Sequence, residues 1–220
     1  MKIAIYGDSY ANMTAHDRNL NKDLSWFELF DNKYNIDNFS AGGSSLIYSY
    51  LQFLKHQEKY DKNIVLGSLP SRIYVPNLKE PHCNNFINYF PERWTSKGVS
   101  KEEINSVLLF YKHIYDPEQE EEIRKLIEKE IKSYKNTLYI SIPETLEKVT
   151  IQERLLFEFD PVKTPLIENM NCHMSNDSNQ VLYDLICKWV KTGEFNFRIE
   201  DFKLPDKKDK YKYFIHKNKI

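Results

Sequence analysis

The hydrophobic positions of the chain fall into short blocks separated by polar and glycine-containing turns. Lys2-Ile3-Ala4-Ile5-Tyr6 has the length and bulk of a buried strand, and Gly7-Asp8-Ser9 closes it as a turn. Leu24, Trp26, Phe27, Leu29 and Phe30, behind polar Asn21-Lys22-Asp23, predict a short helix over Leu24–Phe30. Tyr34 to Phe39 predicts a second strand. Gly42-Gly43 then breaks the chain, and Ser44 or Ser45 caps a helix running to about His56, with Leu46, Tyr50, Leu51 and Leu54 at helical spacing. Asn63-Ile64-Val65-Leu66-Gly67 predicts the third strand.

Beyond Pro70 the alternation loosens. Pro76, Pro81 and Pro91 punctuate an aromatic patch (Phe86, Tyr89, Phe90, Trp94), and Ser100-Lys101-Glu102-Glu103 opens a helix towards Tyr115. Residues 70–115 read as an insertion. Asp116-Pro117-Glu118 is a strong helix start, with Asp as cap, Pro in the first turn and acids against the dipole; Ile123, Leu126, Ile127 and Ile131 form its stripe. Thr137 to Ile142, closed by Pro143, predicts a fourth strand, and Leu155 to Phe159 a fifth. Ser175 caps a last helix with Val181, Leu182, Leu185, Ile186, Trp189 and Val190 inward, ended by Gly193. Strands alternating with helices predict an α/β domain over 1–192, built on a mostly parallel sheet of about five strands with right-handed crossovers. Residues 193–220 read as a basic, aromatic extension, either solvated or an anion-binding arm.

Composition narrows the class. In 220 residues, 41% are hydrophobic and 29% charged, which excludes a disordered chain or a bare coiled coil. The 31 Lys and Arg against 32 Asp and Glu leave a net charge of −1, so no global field draws the protein to nucleic acid, which is not an expected partner. With no run of ~20 apolar residues and no signal peptide at its start, the chain reads as cytoplasmic and without a membrane partner. Three cysteines (Cys83, Cys172, Cys187) without CxxC spacing suggest reduced thiols. The pairs His82-Cys83 and Cys172-His173 lack zinc-site spacing, and the acids Glu118 to Glu122 suit a helix start, so no metal is expected. With no GxxxxGK[ST], GxGxxG or HExxH present, no cofactor is expected either.

Parallel sheets place ligands at the carboxyl ends of their strands, so the strand-terminal turns are the candidate site. Gly7-Asp8-Ser9 presents a hydroxyl at the end of the first strand; taken alone, it is also an ordinary turn. Asn38-Phe39-Ser40-Ala41-Gly42-Gly43 runs from a strand through glycines into a helix, where backbone amides are free to stabilise negative charge. Asn169-Met170-Asn171-Cys172-His173 is a polar loop that sets one histidine ahead of the last helix.

Together these turns resemble the SGNH (GDSL-type) hydrolases across residues 1–192. The resemblance implies a three-layer α/β/α fold of flavodoxin-like type. It further implies Ser9 as nucleophile, the Ser9 and Gly43 amides as an oxyanion hole, and His173 as general base. Two positions depart from the family pattern. Leu69 stands where an oxyanion-hole Asn is expected, and Met170 where an Asp would orient the histidine. Ser68 and Arg72 are candidate replacement donors; Asn169, Asn171 and Asp160 are candidate partners of His173, and Asp8 flanks the nucleophile. These departures resemble those of divergent SGNH-like proteins from phages and bacterial polysaccharide loci. The expected activity is that of a serine esterase or deacylase on a small-molecule or carbohydrate ester, including an O-acetyl group. The alternatives are a catalytically weak or inactive binding protein on the same fold, recognising a glycan or a protein, and a flavodoxin-like nucleotide-binding domain.

Overall fold

A computed structural model describes residues 1–8, 10–11, 25–30, 33–68, 72, 74, 95, 98–142 and 176–202. Among the described residues four strands form one sheet: β1 (Lys2–Tyr6), β2 (Asn35–Asn38), β3 (Lys62–Gly67) and β4 (Thr137–Ser141). The helices are α1 (Leu46–His56), α2 (Lys101–His113), α3 (Pro117–Ser133) and α4 (Asn176–Thr192). The class is therefore α/β, as the alternation of strand and helix predicts. The expected fifth strand at 155–159, the aromatic patch at 86–94 and the tail from 203 lie outside the described residues.

All the strand pairings are parallel and the sheet order is β2-β1-β3-β4. In register, Ile3 lies beside Ile36 and Lys62, and Val65 beside Tyr139. Because the chain steps from β1 to β2 on one side and returns to β3 on the other, the direction of winding reverses between β1 and β3. In open parallel sheets such a reversal is where ligands bind, at the carboxyl ends of the two strands.

The chain divides into two compact units, the first comprising 1–14 and 33–143 and the second 15–32 and 144–220. In the first unit, α1 and α3 pack together against one sheet face. Ala4, Tyr6 and Val65 of the sheet meet Leu46, Phe53 and Ile131 of the helices. Tyr6 stacks on Phe39 and meets Phe53 edge-on, with ring centroids 5.4 and 5.7 Å apart. Its hydroxyl donates to Asn63 Oδ1 at 3.1 Å, which satisfies the one polar atom this ring carries into the core. Ile3, Ile5, Ile64 and Leu66, which alternate with these residues, are also fully buried.

The helix ends follow their sequence signals. Ser45 caps α1 by accepting from the Tyr48 amide; Ser100 and Glu103 form a reciprocal capping box on α2; Asp116 caps α3 by accepting from the Glu118 and Gln119 amides. The inward faces differ from the expected ones at two helices. On α1, Leu51 and Leu54 are exposed and the buried positions are Leu46, Ser49 and Phe53. On α3, Ile123 and Leu126 are exposed, and Arg124 and Ile131 are buried.

In the second unit the expected helix over Leu24–Phe30 is, in its described part, a turn followed by a single 3-10 turn, Glu28–Phe30. Six residues leave room for few i→i−4 bonds, and Ser25 spends its amide on the Glu28 carboxylate. The segment is held by packing instead: Phe30 contacts the Tyr183 ring at 4.8 Å, and the Trp26 amide donates to Asn179 Oδ1. On α4, Leu182, Ile186, Trp189 and Val190 are buried, and Gly193 (φ 78°) ends the helix by donating to the Trp189 carbonyl.

Candidate functional site

The carboxyl ends of β1 and β3 carry a closely bonded group of polar residues. Gly7 leaves β1 against β3 at a distance that only glycine permits. A Cβ there would lie 2.9 Å from Leu66 Cβ and 3.3 Å from Ala11 Cβ. Asp8 follows, fully buried, with one carboxylate oxygen accepting from the Tyr10 amide at 2.9 Å and the other paired with Arg72. The Ala11 amide donates to the Asp8 backbone carbonyl at 3.0 Å, so Asp8 ties down its own turn through its backbone as well as through its carboxylate.

The segment after β2 is fastened to the same turn. The Ala41 amide and the Ser44 hydroxyl both donate to the Gly7 carbonyl at 2.9 Å. Asn38 donates from its side chain to the Ala11 carbonyl at 2.6 Å and accepts from the Ser40 amide. Gly43 adopts φ 77°, a conformation suited to glycine, and the Ser44 amide closes the turn on the Ala41 carbonyl. The Ala41 and Ser44 amides are thus engaged, and Gly43 lies two residues ahead of the Ser45 cap of α1. The macrodipole there favours negative charge.

Ser68 follows β3 with 1% of its surface exposed, and its hydroxyl has no hydrogen-bond partner among the described residues. Arg72 reaches back from beyond β3. Its Nη1 is paired with Asp8 and lies 3.4 Å from the Ser44 carbonyl. A guanidinium and a carboxylate buried together exclude water and hold their geometry, since separating them would strand a charge in the interior.

Of the residues singled out by sequence, Asp8, Gly43, Ser68 and Arg72 therefore gather at one edge of the sheet. Ser9, Leu69, Asp160, Asn169, Met170, Asn171 and His173 lie outside the described residues. Arg72, a candidate replacement donor, is bonded through Nη1 to Asp8. Sequence reasoning passed over three members of the group. The sequence marks Asn38 only as the start of the strand-to-helix segment and Ser44 only as a candidate cap, and Arg124 is hidden among the apolar positions of α3. Asn38 was recoverable as an Asx residue at a strand end, and Arg124 from its place beside Ile127 and Ile131 on the buried side of an amphipathic helix.

Among the described residues no group of three or more His, Cys, Asp or Glu is placed to hold a metal ion, and no helix is long and apolar enough to cross a membrane. No model of a known family matches the chain, and no curated protein matches it.

Proposed function

We propose that the protein is an SGNH-like serine esterase or deacylase acting on an ester or O-acetyl group, with a carbohydrate ester as the favoured substrate. The observation that carries this reading is the lacing of the segment after β2 onto the turn after β1. Ala41, Ser44 and Asn38 all bond to backbone carbonyls on either side of Ser9. Such lacing suits a turn whose neighbouring amides must not shift when charge develops beside them.

The chemistry assigned to the residues is a two-step acyl transfer. His173, as neutral imidazole, takes the Ser9 hydroxyl proton while the oxygen attacks the ester carbonyl. The Ser9 and Gly43 amides stabilise the oxyanion. The proton then passes to the departing alcohol, and a water molecule hydrolyses the acyl-enzyme by the same route. With Leu69 and Met170 at two family positions, the expected catalysis is slow. One lost hole donor costs roughly 10²–10³ in rate, and a lost orienting carboxylate ~10⁴. Asn169, Asn171 or Asp160 would hold the far nitrogen of His173. The same reading includes a flavodoxin-like three-layer fold with a fifth strand, cytoplasmic action and a viral origin.

Labelling of the purified protein with a fluorophosphonate tests it. Wild type is expected to label, and Ser9→Ala and His173→Ala are expected to lose the label while remaining folded. A folded wild type that stays unlabelled overturns the proposal. That result would favour the second reading, a binding protein on this fold, for which the commitment of Arg72 to Asp8 is the supporting observation.

A further inference from the structure

Helices α1 and α3 lie side by side and run in the same direction. Ile47 and Ile123 line one small cavity near their N-termini, the Tyr50 hydroxyl is hydrogen-bonded to Glu130 farther along, and Phe53 meets Tyr134 edge-on at 5.0 Å near their C-termini. Their inward residues are spent on the core, yet the seam between them is apolar on its outer side as well. On α1, Ile47, Leu51 and Leu54 stand at i, i+4 and i+7 and so form one row; on α3, Ile123 and Leu126 stand at i and i+3. Leu126 is 67% exposed and the other four are 38% to 42% exposed. Together they leave roughly 450 Å² of apolar surface uncovered, the size of the largest patch on a typical monomer, which is often functional.

The exposed charges around this patch are divided by end. At the N-terminal end of the helix pair acids predominate, with Asp116, Glu118, Glu121 and Glu122 against Lys125. At the C-terminal end bases predominate, with Lys55, Lys59, Lys129 and Lys132 against Glu58 and Glu130. A surface that is negative at one end and positive at the other complements itself when turned through half a rotation. A second copy turned in this way lays its helices antiparallel on the first, apolar row on apolar row and acid end on basic end, and the opposed helix dipoles act in the same sense.

We propose that the outer face of the α1–α3 pair is a self-association surface, through which two copies of this chain form a twofold dimer. A standard interface removes ~800 Å² from each partner, somewhat more than half of it apolar. The five aliphatic side chains supply that apolar share and the charged ends supply the rim. The whole surface lies within the unit comprising 1–14 and 33–143, and it is independent of any role for Ser9.

Sedimentation equilibrium of the full chain tests the assignment. Wild type is expected to be a dimer at micromolar concentrations. Leu51→Gln and Leu126→Gln are each expected to weaken the dimer about thirtyfold, because every substitution acts once in each copy. Leu109→Gln, at an exposed position of α2 outside the patch, is expected to associate as wild type. Reversing the basic end (Lys55→Glu with Lys129→Glu) or the acid end (Glu118→Lys with Glu122→Lys) is expected to leave monomers at low salt, and mixing the two variants is expected to restore dimers. Should Leu51→Gln fail to fold, the more exposed Leu126→Gln carries the comparison. A wild type that stays monomeric overturns the proposal. Unchanged association of folded Leu126→Gln, or a mixture of the charge variants that stays monomeric, overturns it equally.

Discussion

Asp8 and Arg72 contribute through each other, and their substitution should show it. With both side chains buried, Asp8→Ala leaves the guanidinium uncompensated and is expected to cost ~3–5 kcal/mol in urea unfolding. Asp8→Ala combined with Arg72→Met should recover much of that loss. An additive double mutant would mean the pair has no energetic coupling. His56 gives a pH dependence of a different origin. Its ring stacks on Phe39 at 4.3 Å, and burial, followed by Lys55 and Lys59, holds its pKa below the ordinary 6.5. The unfolded chain then binds its proton at a higher pH than the folded one. The contribution is therefore complete above pH 6.5 and is lost as the pH falls below it. Urea midpoints measured from pH 7.5 to 5 should fall more steeply for wild type than for His56→Gln.

Among the elements, α3 offers the most direct test of a local rule. Asp116 satisfies the Glu118 amide at 2.9 Å and reaches the Gln119 amide at 3.5 Å, so Asp116→Ala is expected to cost ~1 kcal/mol, read from the thermal midpoint. Caps of this kind were legible in the sequence, as were all four strands, because each depends on residues close by in the chain. The rotation of a helix about its own axis depends on what it meets, and there the reading departed from the structure. On α1 the apolar residues Leu46, Tyr50, Leu51 and Leu54 suggest one face. The helix instead turns Ser49 inward, where its hydroxyl bonds the Ser45 carbonyl and its small size allows close approach, while Phe53 fills the space between Tyr6 and Tyr134. The candidate site divides in the same way. Glycines that break a strand announce themselves. The use of Arg72 as a clamp for Asp8 spans 64 residues and has no local signature.

At the scale of the molecule, the chain begins one unit, leaves it for residues 15–32, returns, and completes the other unit only after residue 143. The Tyr6–Asn63 bond joins residues 57 apart, whereas Trp26 and Asn179 are 153 apart. Loop closure alone makes the longer contact about fourfold less probable. In pulse-labelled refolding the β1 and β3 amides should therefore gain protection before the Trp26 amide, and simultaneous protection would contradict this order. The short strand β2 adds a consequence at the same scale. It is an edge of the sheet among the described residues, it is four residues long, and its outermost polar groups are already engaged: Asp37 by the Tyr60 hydroxyl at 2.7 Å, Asn38 by Ala11 and Ser40. A brief edge carrying a carboxylate makes a poor template for a strand from another molecule. Asn38, which helps to fasten the turn after β1, therefore also belongs to an edge that discourages edge-to-edge aggregation of the protein.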